Sequence, residues 1–198
     1  MVYLLCKILL TIPFFLLYRP CVRGWRNLWF RGPAIVISNH HHLTDPIMIG
    51  FVTPRIMHFM AKKELFEKPA ARWFLTKCFF AFPVDRSHVD IASMKKAMSV
   101  LEAGRVFGIF PEGSRSVSGN IDDFERGAAF LALRAKVKVI PIYADPAARK
   151  RLRVRMNVGE PIDPAAIAAQ SDGKAVDVVT EVFRDSILRL RNELESKG

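Results

Sequence analysis

Short apolar segments that alternate with helix-like stretches limit the possible folds of this chain more than any other feature of its sequence. Several segments are continuously apolar, as expected for strands covered on both faces of a sheet. Strands that alternate with helices predict an α/β fold. We therefore predict a mixed, mostly parallel sheet flanked by helices. The predicted strands are 34–38, 56–61, 79–84, 106–110 and 137–143.

The length of the chain favours one domain. Its 198 residues, 51% of them hydrophobic, suffice for a single sizeable core. The last helix is predicted from apolar residues that recur at helical spacing between Val178 and Leu190. The predicted helices are 45–51, 69–78, 89–103, 126–134 and 174–194.

The N-terminal segment is hydrophobic on nearly every side. Residues 2–17 are apolar apart from Lys7 and Thr11, and Pro13 interrupts them. A spanning helix needs about 20 apolar residues, and no signal-peptide cleavage site follows. We predict that residues 1–20 form a membrane-associating helical segment, inserted in one leaflet or lying at the interface. A buried core helix is the alternative. The arginines that would meet cytoplasmic headgroups are Arg19, Arg23, Arg26 and Arg31.

The net charge of +11 predicts an anionic partner. A phospholipid surface, a phosphorylated substrate and nucleic acid all qualify. No helix-turn-helix, zinc-finger or RNP signature is present, so nucleic-acid binding is the remote alternative. The basic segment 149–155 suits anionic headgroups or, equally, a solvated edge strand. Three widely spaced cysteines predict neither a disulfide framework nor a zinc ribbon.

Polar residues directly follow three of the predicted strands. They are 39–40, 85–86 and 111–112. In open α/β sheets ligands bind beyond the carboxyl ends of parallel strands. If the three strands are parallel, their polar ends converge on one site.

His40 and Asp45 are the candidate catalytic pair. The Asp45-Pro46 step is typical of a helix start, with Asp45 as N-cap and Pro46 at the first helical position. A loop before that helix lets the two side chains meet. A histidine oriented by a carboxylate can accept a hydroxyl proton, without any nucleophilic side chain. Residues 40–42 are consecutive histidines, but they suit no metal-binding pattern, and we predict no metal.

Residues 110–116 form a second motif, directly after a predicted buried strand. Glycine and serine expose backbone N–H groups that suit phosphate oxygens. Arg115, together with Arg86, would add charge-assisted hydrogen bonds to a phosphate. Ser114 is not set in a GxSxG elbow, which disfavours a serine hydrolase. The alternative is a structural turn in which Arg115 pairs with Glu112.

These motifs resemble the 1-acyl-glycerol-3-phosphate (lysophosphatidate) acyltransferases. The resemblance extends from about residue 22 to residue 162 and keeps the family's motif order. One departure is that Phe124-Glu125-Arg126-Gly127 stands where many members have Phe-Lys-x-Gly. The matching motifs are Asn39-His40 with Asp45, residues 82–86, residues 110–116 and residues 139–142.

The resemblance implies that residues 21–198 form an acyltransferase domain on the cytoplasmic face of the cell membrane. His40 would deprotonate the 2-hydroxyl of lysophosphatidate while Asp45 orients it. The alkoxide would attack acyl-CoA or an acyl carrier protein thioester, which are co-substrates, and no cofactor is implied. An acyltransferase or transacylase for a different lyso-phospholipid or for glycerol 3-phosphate is the alternative. The residues that would bind the phosphate are Arg86, Glu112, Gly113, Ser114 and Arg115.

Overall fold

A computed structural model describes residues 2–85, 91–116, 121–146 and 153–196. The strands are β1 (Cys21–Arg23), β2 (Ala34–Ser38), β3 (Met57–Lys62), β4 (Ala81–Val84), β5 (Val106–Ile109), β6 (Lys138–Ala144) and β7 (Arg155–Val158). The helices are α1 (Val2–Tyr18), α2 (Asp45–Val52), α3 (Pro69–Cys78), α4 (Ile91–Glu102), α5 (Gly127–Ala135), α6 (Pro164–Ala168) and α7 (Ala175–Glu195). Short 3₁₀ helices cover Trp25–Leu28 and Lys63–Phe66.

The strands form one seven-stranded sheet in the order β1-β7-β6-β2-β5-β3-β4. Strands β6, β2, β5, β3 and β4 all run parallel. Strand β7 is antiparallel to β6, and β1 runs parallel to β7. The predicted α/β fold with a mixed, mostly parallel sheet is therefore confirmed.

Both faces of the sheet are covered by helices, which explains why its strands are continuously apolar. One face packs on α4, α5 and α7, with Phe107 and Phe183 almost fully buried between them. The other face packs on α2, with Met48 and Ile140 in its core. All five residues of β2 are buried, so the centre of the sheet is a rigid support for whatever follows its strands.

Helix α1 packs against α2 and α3. The Phe14 ring is buried and stacks on Phe51 of α2 at a centroid distance of 4.8 Å. The Lys7 ammonium donates to the backbone carbonyls of Thr53 and Arg55, just beyond the end of α2. Burial lowers the pKa of Lys7 to about 8. Among the described residues, no helix combines the length and the hydrophobicity needed to cross a membrane.

The strands predicted from apolar runs do not include β1 and β7. Both strands are short, three and four residues, so neither produces a recognisable apolar run. The edge strand considered for 149–155 differs from β7, which begins only at Arg155 and lies between β1 and β6. Strand β7 overlaps the end of the basic segment 149–155, of which residues 149–152 lie outside the described residues. Residues 89–90 of the predicted helix 89–103 also lie outside the described residues, and α4 is described from Ile91.

At Gly108 of β5, the packing of the sheet leaves no space for a side chain. A Cβ at this position would lie 2.2 Å from a ring carbon of Phe59 and 2.9 Å from the Met57 methyl group. Both neighbours are buried, so Gly108→Ala should lower the free energy of unfolding by about 1–3 kcal/mol, measured by urea denaturation. Gly50→Ala is the matched control, because nothing lies within 4 Å of its Cβ position. Equal stability of the two variants would contradict the packing argument.

Candidate active site

The carboxyl end of β2 is fixed by the carboxamide of Asn39. Its nitrogen donates to the Ala144 carbonyl at 2.9 Å, and its oxygen accepts from the Ala144 N–H at 2.8 Å. Ala144 ends β6, the strand next to β2. This paired contact therefore fixes the point at which the chain leaves the sheet, directly before His40.

His40 and Asp45 meet directly. Nδ1 of His40 lies 3.1 Å from Oδ2 of Asp45, and both side chains are almost fully buried. The same oxygen accepts the backbone N–H groups of His41 and His42 at 2.8 and 2.7 Å. The loop 40–44 is thus wrapped around a single carboxylate oxygen.

The predicted N-cap role of Asp45 is wrong. Thr44 occupies the N-cap position, and Asp45 is the first residue of α2. The carboxylate turns back to the preceding loop because the N–H groups of His41 and His42, as well as the His40 ring, lie there. Pro46 is therefore the second residue of the helix, one position later than predicted.

The environment of Asp45 keeps it ionised. Burial alone would raise the pKa of this carboxyl, but hydrogen bonds from the His40 ring and from the N–H groups of His42 and His41 outweigh burial, and the pKa is lowered. An ionised Asp45 accepts at Nδ1, so Nδ1 of neutral His40 carries the proton. Nε2 is then left with a lone pair, which is the state that a general base needs.

The aromatic ring of Phe110 fixes the plane of His40. The two rings stack at a centroid distance of 4.2 Å and an interplanar angle of 23°. Phe59 supports Phe110 in turn, with nearly parallel rings 6.3 Å apart. Phe110 directly follows β5, which pairs with β2, so the sheet itself brings this ring to the histidine. The sequence argument did not include Phe110 as a site residue.

Glu112 lies beneath the backbone of His40. Its Oε1 accepts the His40 N–H at 3.2 Å, and the Ser116 N–H donates to the His40 carbonyl at 2.9 Å. The loop 110–116 therefore holds the main chain of His40 on both sides. Glu112 is only 7% exposed, and burial raises its pKa to about 7 despite the bond from His40; Asp122 and Asp45 raise it further.

Three of the remaining predicted residues, 113–115, form the turn that follows Glu112. Gly113 has φ +68°, a conformation that favours glycine. Ser114 and Arg115 are exposed, and in the described part of the chain no ion pair joins Arg115 to Glu112. Arg86 lies outside the described residues, so its predicted place in the site stays a prediction. Asp85, which precedes it, contacts Lys63.

The three strands with polar ends are parallel, as the predicted convergence requires, and Asp85 after β4 lines the same groove as Phe110 after β5. Strands β2 and β5 are neighbours, whereas β4 lies two strands further from β2 than β5 does. His41 and His42 contribute backbone N–H groups to the Asp45 carboxylate. Within the described ranges, no group of three or more possible metal ligands occurs.

A large groove opens beside Phe110. Its volume is about 1030 Å³, and it lies between α4, α5 and the start of α7. Gly113, Glu125 and Arg126 lie along it together with Phe110. Such a groove, next to a buried histidine, suits a long hydrocarbon chain with a polar end. Its apolar lining includes Met60, Ile91, Met94, Ile109, Phe130 and Val176.

Comparison with known proteins gives concordant matches. The model of the acyltransferase family matches residues 19–145. A protein of Streptococcus pneumoniae named 1-acyl-sn-glycerol-3-phosphate acyltransferase is 35% identical over 166 residues, which cover 80% of this chain and 61% of the relative. The chain thus spans about three fifths of that relative's length.

Two further matches agree with these. A Bacillus subtilis protein of the same name is 32% identical over 175 residues, covering 85% of this chain and 86% of the relative. The crystal structure of a 1-acyl-sn-glycerophosphate acyltransferase from Thermotoga maritima superposes with a TM-score of 0.72 at 24% identity. The superposition covers 94% of this chain and 78% of the Thermotoga chain, and it shows that the two proteins share a fold.

The raised pKa of Glu112 predicts a pH-dependent stability. A carboxyl whose pKa rises from about 4.3 in the unfolded chain to about 7 in the folded one favours folding only while it is protonated. Its contribution is therefore present below pH 4.3 and is lost as the pH rises to about 7. Between pH 5 and pH 8, the wild type should lose on the order of 2 kcal/mol of unfolding free energy relative to Glu112→Gln.

Urea denaturation at both pH values measures this difference. Glu102→Gln is the matched control, because Glu102 is exposed at the end of α4, and its difference from the wild type should stay constant. A constant difference for Glu112→Gln as well would contradict the buried, protonated carboxyl.

Proposed function

This chain belongs to the acyltransferase family, and we propose that it transfers a fatty acyl group from a thioester to the 2-hydroxyl of lysophosphatidate, which forms phosphatidate. Acyl-CoA and acyl carrier protein are the proposed donors. The names of the bacterial relatives support the acceptor. The observation that carries the proposal is the buried contact between Nδ1 of His40 and the Asp45 carboxylate.

The proposed reaction uses His40 as general base. Nε2 of His40 takes the proton of the 2-hydroxyl, and the resulting alkoxide attacks the thioester carbonyl carbon. The tetrahedral intermediate collapses with cleavage of the C–S bond, and the thiolate that leaves takes the proton from the imidazolium. Asp45 stabilises that imidazolium without accepting the proton. The reaction is balanced without any covalent enzyme intermediate.

The turn 113–115 is the proposed phosphate site. Ser114 and Arg115 are exposed and directly follow Gly113, which lines the groove, and a planar guanidinium at this turn can bind phosphate oxygens. Arg86 remains a predicted second cation. Glu112 is placed differently, because its Oε1 is engaged with the His40 N–H beneath the histidine. The geometry thus supports a positioning role for Glu112 better than contact with the phosphate.

The groove is the proposed site of the acyl chain. Its apolar side chains continue from Phe110, whose ring stacks on His40, so a chain that enters the groove at Phe110 would place its thioester beside the His40 ring. Burial of the chain would remove hydrocarbon from water, which contributes about 0.8 kcal/mol for each CH₂. The groove would in this way bind the donor and orient its thioester.

We place the protein at the cytoplasmic face of the cell membrane, in monotopic or peripheral association. Helix α1 exposes Leu9, Ile12, Leu16 and Leu17, and each is more than half exposed. Trp25, Trp29 and Trp73 are also more than half exposed, as in interfacial aromatic belts. Arg19, Arg26 and Arg31, exposed after α1, would meet anionic headgroups.

The reaction is tested by acyl transfer from acyl-CoA and acyl carrier protein thioesters to lysophosphatidate, with purified protein in detergent. His40→Ala should lower kcat by about 10² to 10⁴, because the base is lost. His42→Ala is the matched control: its side chain is exposed, and its backbone N–H to Asp45 remains. Transfer by His40→Ala at the rate of His42→Ala would contradict the general-base role. Both variants must have the same free energy of unfolding as the wild type.

Membrane association is tested by flotation with phosphatidylglycerol-containing vesicles. Leu16→Asp should lower the partition coefficient by about tenfold or more, because a 73% exposed leucine of α1 becomes charged. Val178→Asp, at a 40% exposed position of α7, is the control and should float like the wild type. Equal flotation of the two variants would contradict insertion of α1.

A further inference from the structure

A carboxylate lies against the proposed phosphate site. The side chain of Glu125 packs on Gly113 so closely that a Cβ at residue 113 would lie 2.2 Å from its Oε1. The Glu125 N–H donates to the Pro111 carbonyl at 2.8 Å, which fixes its backbone beside the turn. Glu125 is exposed and lines the groove, so its charge faces whatever binds there.

Apart from Arg115, the described charged side chains around this turn do not offset Glu125. Arg126, the next residue, is 2.7 Å from the Asp177 carboxylate. Asp122 lies close enough to Glu112 to disfavour its ionised form. Among the described ionisable side chains of the groove, the three acids Asp85, Glu125 and Asp177 outnumber the two bases Arg126 and Lys174.

We propose that Glu125 determines headgroup specificity by disfavouring a phosphomonoester relative to a phosphodiester. A phosphate held by the 113–115 turn lies beside the Glu125 carboxylate. A phosphomonoester such as lysophosphatidate is largely a dianion at pH 8, and a phosphodiester is a monoanion. The carboxylate repels the dianion twice as strongly at the same distance. This inference rests on the proposed function.

The expected consequence is weaker discrimination between phosphomonoester and phosphodiester acceptors. Glu125 narrows the advantage that Arg115 gives to the more highly charged lysophosphatidate. The chain is therefore expected to discriminate less strongly between lysophosphatidate and lyso-phospholipids with a phosphodiester headgroup. Discrimination between acceptors is a difference of two interaction energies, so one repulsive side chain can set it.

The experiment compares kcat/KM for lysophosphatidate and lysophosphatidylglycerol at pH 8, with both acceptors at the same mole fraction in one type of micelle. Glu125→Gln keeps the shape and removes the charge, and Glu125→Lys reverses it. The ratio of kcat/KM values, lysophosphatidate over lysophosphatidylglycerol, should rise about threefold in Glu125→Gln and about tenfold in Glu125→Lys.

Glu102→Gln and Glu102→Lys are the matched controls. Glu102 is exposed at the end of α4. The strand that follows, β5, begins at the amino ends of the parallel strands, whereas the site lies at their carboxyl ends. These variants change net charge equally, and their ratio should equal that of the wild type.

Three results overturn the inference. They are an unchanged ratio in both Glu125 variants, a fall of the ratio, and an equal rise in the Glu102 variants. Transfer to both acceptors with an unmoved ratio defeats the role of Glu125 and leaves the proposed function standing. Failure of the folded wild type to acylate either acceptor defeats the proposed function and this inference with it.

Discussion

One carboxylate oxygen organises the centre of this protein. Oδ2 of Asp45 accepts from the ring of His40 and from two consecutive backbone N–H groups. Burying an ionised carboxylate is costly unless hydrogen bonds replace its water, and these donors supply that replacement. Because the same interactions fix the path of the loop and the orientation of the imidazole, the geometry of the loop and the protonation of the histidine have one cause.

The sheet provides the other half of the arrangement. Strand β2 lies between β6 and β5, so residues at the ends of both neighbours reach the residue that follows β2. Ala144 of β6 binds Asn39, and the loop after β5 supplies the ring of Phe110 and the carboxyl of Glu112. His40 is therefore supported through its ring, its N–H and its carbonyl. This support lets a loop residue occupy one orientation, as catalysis by a general base requires.

The sequence predicted much of the fold because buried strands in a parallel sheet leave continuous apolar runs. Family membership, inferred from four ordered motifs, is confirmed by the match over residues 19–145. The contact of His40 with Asp45 followed from the loop before α2, although their catalytic roles stay predictions. The prediction of Asp45 as the N-cap was wrong because the helix-start preference of an Asp-Pro step does not reveal which N–H groups the carboxylate faces. The contacts of Phe110 and Glu112 depend on β5 being the neighbour of β2, which no local pattern encodes.

The tautomer of His40 tests the central claim most directly. Two-dimensional ¹H–¹⁵N spectra of the ¹⁵N-histidine-labelled protein, assigned with a His40→Gln variant, report which ring nitrogen carries the proton at neutral pH. An ionised Asp45 at Nδ1 predicts a protonated Nδ1 and an Nε2 with the shift of an unprotonated nitrogen. A proton on Nε2 of neutral His40, with Nδ1 bare, would contradict the account, because no base would then face the acceptor hydroxyl.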